Sequence, residues 1–268
     1  MIMYKLGFIG CGNMASAIIG GCVSSGFVEG GNICVFDVDT PKAEALNTQY
    51  GVKLCASSEE VAENCEFTVL AVKPQVFPAV LPRIKDSLAV NSVVVSIGAG
   101  KTLEYIGSFL NENAAVIRVM PNICAKVGAS MSAVCKNSSA DKKALNFVKE
   151  LCRSFGEVTE IPESQFALFG VIAGCSPAYS FMFIDSMARE AVKNGMKKDE
   201  ALKICAQAVL GSAKMILEDK ESNPWALINS VCSPGGTTIE GVATLQNEGF
   251  DTAVMNAVKA SLEKDKKL

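Results

Sequence analysis

"GFIGCGNMA", Gly7 to Ala15, decides the fold of this 268-residue chain. It closes the apolar run "YKLGFIG" and opens "NMASAIIGGCVSSG", whose apolar residues recur at helical spacing. Gly10-x-Gly12-x-x-Ala15 therefore lies between a strand and a helix. In such a turn Gly10 permits the tight bend, Gly12 lets the backbone approach a pyrophosphate, and Ala15 lets helix pack closely on strand. Asn13 and Met14 belong to the same turn, and the helix N-terminus that they open attracts anions. A packing-driven turn that binds nothing would also use these glycines. Asp37, 22 residues beyond Ala15 at the end of the next strand, favours a dinucleotide, because a carboxylate there accepts from ribose hydroxyls.

Outward from this turn, strand and helix patterns alternate. "NICVFD", "EFTVLAV", "SVVVSIG" and "AAVIRVM" are β-branched, apolar runs separated by helical stretches. "TPKAEALNTQYG" offers Thr40 as N-cap and Pro41 as first helical residue. "SMSAVC" and "EVTEI" are predicted as additional edge strands. The pattern predicts a mostly parallel, doubly wound sheet with helices on both faces. Ligands of such sheets bind at the carboxyl ends of the strands. Three strand-ending turns fall there: "LAVKPQ" with Ala71, Val72, Lys73 and Pro74, "SIGAG" with Ala99, and "RVMPN" with Asn122. Each is also explicable as a plain turn. Asp37 repels a 2′-phosphate, with Lys42 as partial compensation, so charge leans toward NADH over NADPH.

Composition narrows the chemistry. Net charge is −3 with no long basic run, which argues against nucleic acid or an anionic membrane as partner. The start shows no signal-peptide pattern, and no stretch approaches a transmembrane span of roughly 20 apolar residues. Eleven cysteines without a C-x-x-C pair read as reduced thiols of a cytoplasmic protein. The chain has no histidine, which removes Ser-His-Asp and Cys-His catalysis and the usual zinc sites; no metal is expected.

After "EVTEIPES" the β-branched runs stop, and 162–268 reads as helical, following a first domain over 1–161. "ESQFALFGVIAG", "PAYSFMFIDSMAREAVKNG" and "KDEALKICAQAVLGSAKMILEDK" are apolar on several faces, so a second subunit is expected to cover them. Within this region "SPGGTTIEG", residues 233–241, interrupts the helical pattern. Thr237 or Thr238 is a good N-cap, and Gly235 and Gly236 leave N–H groups unshielded at a positive helix end, which suits a carboxylate. A simple capped turn is the alternative.

With "GFIGCGNMASAI", "LAVKPQVF", "RVMPN", "SPAY" and above all "SPGGTTIEGVATL", the chain resembles the pyrroline-5-carboxylate reductase family over almost its full length. The resemblance implies a Rossmann domain plus an all-α dimerisation domain, in a homodimer that can assemble further. It implies reduction of 1-pyrroline-5-carboxylate to L-proline with NAD(P)H. It places Thr238 on the ring nitrogen, and Ser233, Gly235, Gly236 and Thr237 around the substrate carboxylate. Cys175 precedes Ser176-Pro177 where the family usually has serine and glycine, and Ile123-Cys124 replace its usual Thr-Pro. Two alternatives stay open on these departures: a paralogue acting on another imine, and a nucleotide-binding regulatory protein with little turnover. A β-hydroxyacid dehydrogenase would need a lysine early in its helical domain, and residues 163–188 contain none.

Overall fold

Alternation along the first strand assigns the two faces of the sheet. Phe8 points into one core with Ala15, Ile18, Val69 and Val95, and its neighbour Ile9 into another with Leu70, Phe77, Leu81 and Val94. Both faces are dry, so every central strand is apolar at odd and even positions alike. The computed structural model describes residues 3–219 and 223–265.

The strands are β1 (Tyr4–Ile9), β2 (Ile33–Phe36), β3 (Lys53–Leu54), β4 (Cys65–Leu70), β5 (Val93–Ser96), β6 (Ala115–Met120), β7 (Ser130–Lys136) and β8 (Gly156–Glu160). They form one sheet in the order β3-β2-β1-β4-β5-β6-β7-β8. All pairings are parallel except the antiparallel β6–β7. Of the two strands expected at an edge only β8 lies there; β7 is interior because β8 pairs with it. The other edge is β3, a two-residue strand with no hydrophobic run to reveal it.

The helices of this half are α1 (Asn13–Ser24), α2 (Thr40–Tyr50), α3 (Ser58–Asn64), α4 (Phe77–Ile84), α5 (Leu103–Gly107) and α6 (Lys142–Arg153). Asp39, not Thr40, is the N-cap of α2, so Thr40 and Pro41 already lie inside the helix. The cap moves because Asp39 is held just outside the helix, its N–H donating to Asp37 Oδ1 at 2.8 Å.

A 3₁₀ turn (Glu163–Gln165), α7 (Phe166–Phe169) and a π-helical turn (Gly170–Cys175) lead into α8 (Ser176–Lys193), α9 (Lys198–Glu218), α10 (Pro224–Val231), α11 (Thr237–Asn247) and α12 (Phe250–Asp265). The α9 pattern was expected to reach Lys220, which lies outside the described residues. The chain divides into two compact units between Gly174 and Cys175, whereas the sequence predicts a boundary at 161/162. Residues 163–174 fall in the first unit, where Phe166 is fully buried against Ala133 and Cys135. The second unit packs α8 on α9, and Tyr179 and Ser261 share a hydroxyl hydrogen bond of 2.6 Å between α8 and α12.

This second unit has little core of its own. Among its described residues Pro177, Ala188 and Ala201 are the buried ones, while Phe181, Met182, Leu210 and Leu217 are more than half exposed. The 31-residue helical run Glu163–Lys193 is, by length and composition, long and apolar enough to cross a membrane. This corrects the expectation of no such stretch. The physical reason is that a helix apolar on several faces meets the same compositional test whatever surface covers it.

Candidate functional site

The first unit builds its site at the carboxyl end of β1. Gly10 has φ +102°, and a Cβ there would lie 2.8 Å from the main-chain carbon and oxygen of Ala71, so the turn accepts only glycine. Its N–H donates to Phe36 O at 2.8 Å, tying the turn to β2. At Gly12 a Cβ would meet nothing within 4 Å. Space therefore opens in front of the α1 N-terminus, where Gly12 is the N-cap and no side chain satisfies the first N–H groups. Asn13 and Met14 occupy the first turn, and Ala15 is fully buried in the sheet–helix contact. The fold thus offers a dinucleotide pyrophosphate both open room and backbone donors.

Asp37 stands beside this turn. Its Oδ2 accepts from the Cys11 N–H at 2.6 Å and its Oδ1 from the Asp39 N–H. The carboxylate thus pins the glycine turn to the end of β2, a structural duty that spacing alone does not reveal. Lys42 pairs with Asp39 at 2.7 Å and also feels the Asp37 charge, so it offsets that charge in part. Burial, with Asp37 second, pushes the Cys11 thiol up to about 12, so Cys11 stays a neutral thiol.

The remaining candidates follow the same edge. Ala71 and Val72 close over Gly10, and Lys73-Pro74 lead into a 3₁₀ turn with Lys73 exposed. After β5, Gly98 donates its N–H to the buried Ser96 Oγ at 3.3 Å, and Ala99 is exposed in the loop. Asn122 is buried and its side chain is committed. Nδ2 donates to Ala173 O at 2.9 Å, and Oδ1 accepts from the Cys124 N–H at 3.1 Å. The side chain holds the π-helical turn to the end of β6. Arg118 and Glu163, which the sequence reading left unassigned, pair at 3.1 Å behind this edge. A cavity of about 650 Å³ lies at the opposite, amino edge, lined by Lys5, Ser92 and Lys143, away from all these residues.

In the second unit the Ser233–Gly236 turn closes with the Gly236 N–H donating to Ser233 O at 3.0 Å. Gly235 has φ +67°, and a Cβ at Gly236 would fall 2.4 Å from Ser233 Oγ, so the glycines answer two separate demands. The expectation that a threonine caps α11 is corrected: Gly236 is the N-cap, and Thr237 and Thr238 are the first two helical residues. The Gly236 N–H, expected free, is spent on the turn. The N–H groups of Thr237 and Thr238, at the start of the helix, have no intrahelical acceptor. Both threonines are exposed.

The switch point of a doubly wound sheet is where such folds bind nucleotides, and residues 5–100 match the family model "NADP oxidoreductase coenzyme F420-dependent". Residues 163–268 match "Pyrroline-5-carboxylate reductase dimerisation". The pyrroline-5-carboxylate reductase of Escherichia coli is 45% identical over 264 residues, 98% of each chain. The solved reductase of Coxiella burnetii superposes with a TM-score of 0.91 at 30% identity, covering 98% of both chains. That of Plasmodium falciparum, solved with NADP bound, gives 0.88 at 30% identity, covering 100% of this chain and 98% of its own. The chain belongs to the pyrroline-5-carboxylate reductase family.

Proposed function

We propose that the chain reduces the cyclic imine 1-pyrroline-5-carboxylate to L-proline with NAD(P)H. The observation that carries this is the Ser233–Gly236 turn, which starts α11 with its first N–H groups uncapped. Those donors and the Ser233 hydroxyl suit the substrate carboxylate. Gly235 supplies the left-handed bend, and Gly236 contributes space beside Ser233 Oγ. Thr238 is the catalytic residue of this reading: its hydroxyl holds the proton at the ring nitrogen while the adjacent carbon changes from trigonal to tetrahedral. A protonated imine is already a strong electrophile, so positioning is the main task and a chain without histidine suffices.

Gly10, Gly12, Asn13, Met14 and Ala15 would hold the pyrophosphate of the cofactor, Asp37 its ribose, and Ala71, Val72, Lys73, Pro74, Ala99 and Asn122 its nicotinamide end. When bound, the nucleotide supplies the hydride, so imine, proton and NAD(P)H become proline and NAD(P)+. The Asp37 charge, which Lys42 offsets only in part, supports NADH being used at least as well as NADPH. The working form is a homodimer, because the second unit leaves Phe181, Met182 and Leu210 exposed. Eleven free cysteines support a reducing, cytoplasmic setting. The test is consumption of reduced nucleotide by purified protein with the imine, run with each cofactor.

A further inference from the structure

Glu163 joins three segments behind the carboxyl edge of the sheet. Its Oε1 accepts from the Leu103 N–H at 2.7 Å and from Arg118 Nη1 at 3.1 Å. Leu103 is the first residue of α5, Arg118 lies within β6, and Glu163 opens the 3₁₀ turn that follows β8. Arg118 is 5% exposed and sits 4.4 Å over the ring of fully buried Phe166. Its Nε has no acceptor among the described residues. An arginine left partly unsatisfied in a core is a poor stabiliser, and an apolar pair of similar volume would hold such a site as well or better. Its use here is therefore geometric.

What the pair holds is the loop 97–102 between β5 and α5. The near end of that loop is fixed by the Gly98 N–H on Ser96 Oγ and by Phe77, whose Cζ would lie 2.5 Å from a Cβ at Gly98. The far end is fixed by the Leu103 N–H on Glu163. Ala99 and Gly100 lie exposed between the two anchors, at the edge where such sheets bind the nicotinamide. We propose that Glu163 is a positioning residue for hydride transfer. Its Oε1 sets the height of the Ala99 loop against the cofactor, and Arg118 supplies the counter-charge to that carboxylate. The inference rests on the reductase function proposed above.

Two double variants separate the acceptor from the charge. Arg118→Met with Glu163→Gln removes both charges and keeps a carbonyl for Leu103. Arg118→Met with Glu163→Leu removes the acceptor as well. The two should melt within about 4 °C of each other. The leucine variant should lose about 10-fold in kcat, with little change in KM for the imine, and show a larger primary isotope effect with deuterated cofactor. The glutamine variant should stay within about threefold of the native enzyme. Equal kcat and equal isotope effects in the two variants would overturn the proposal. Should neither variant fold, hydrogen exchange on the native protein decides. Fragments covering 97–103 should gain protection when NADPH is added, and no gain overturns the proposal. Protection requires no imine turnover, so a chain that fails to reduce the imine does not decide this point.

Discussion

Asp37 Oδ2 accepts the main-chain N–H of Cys11 at 2.6 Å, across 26 residues of sequence. One carboxylate thus shapes the glycine turn and also stands where a ribose would lie. Its two tasks separate under substitution. Asp37→Asn keeps an acceptor oxygen and removes the charge; Asp37→Ser removes charge and reach together. Both should shift the ratio of dissociation constants toward NADPH by about 10-fold, the equivalent of ~1.4 kcal/mol. Both variants should also lose stability, about 1–3 kcal/mol for serine, which removes both acceptor oxygens, and less for asparagine, which keeps one. Titration with each nucleotide, alongside thermal melting, checks both. A native preference of a hundredfold for NADPH would sink the charge argument.

Gly10 and Gly12 answer to different causes. Gly10→Ala places a side chain at φ +102° and 2.8 Å from Ala71 main chain, so both stability and nucleotide binding should fall. Gly12→Ala meets no neighbour within 4 Å, so melting should stay within about 2 °C while nucleotide affinity drops at least about 10-fold. Comparable melting losses in the two variants would show that Gly12 is there for packing.

The sheet was legible because buried parallel strands write themselves as apolar β-branched runs and the βα turn as spaced glycines. What sequence did not reveal are contacts that depend on three dimensions. Spacing puts Asp37 at the end of β2, but its bond to Cys11 joins residues 26 apart. The Asn122 amide reaches Ala173, 51 residues on. Thr237 looked like a cap because threonine caps well, but Gly236 takes the extended backbone that an N-cap needs. The β-branched runs end at 161, and burial of Phe166 carries the first compact unit on to Gly174.

Thr238 is exposed on the first turn of α11 and caps nothing, so its loss should be felt in chemistry and not in folding. Thr238→Ala should lower kcat by about 10-fold or more, since one hydrogen bond to a charge-bearing group is worth roughly 1.5–3 kcal/mol. Nucleotide affinity should be unchanged. Gly235→Ala forces a side chain to φ +67° and should weaken imine binding by distorting the turn. A Thr238→Ala enzyme with full turnover and a much lower melting temperature would reduce the threonine to a structural role.

Leu210 and Phe181 lie 61% and 60% exposed on α9 and α8 of a unit with few buried residues. Light scattering of the native protein should give a dimer or a multiple of it at micromolar concentration. Leu210→Glu with Phe181→Glu should dissociate the assembly and cost the second unit its protection from proteolysis. A stable, well-folded native monomer would refute the covering subunit.

The most direct test follows the absorbance of reduced nucleotide when purified protein is given 1-pyrroline-5-carboxylate, with the product identified by mass spectrometry. Reduced nucleotide should disappear in step with L-proline formation, with NADH at least matching NADPH, and the rate should collapse in Thr238→Ala. A protein that binds nucleotide yet forms no proline above background would contradict the proposed function.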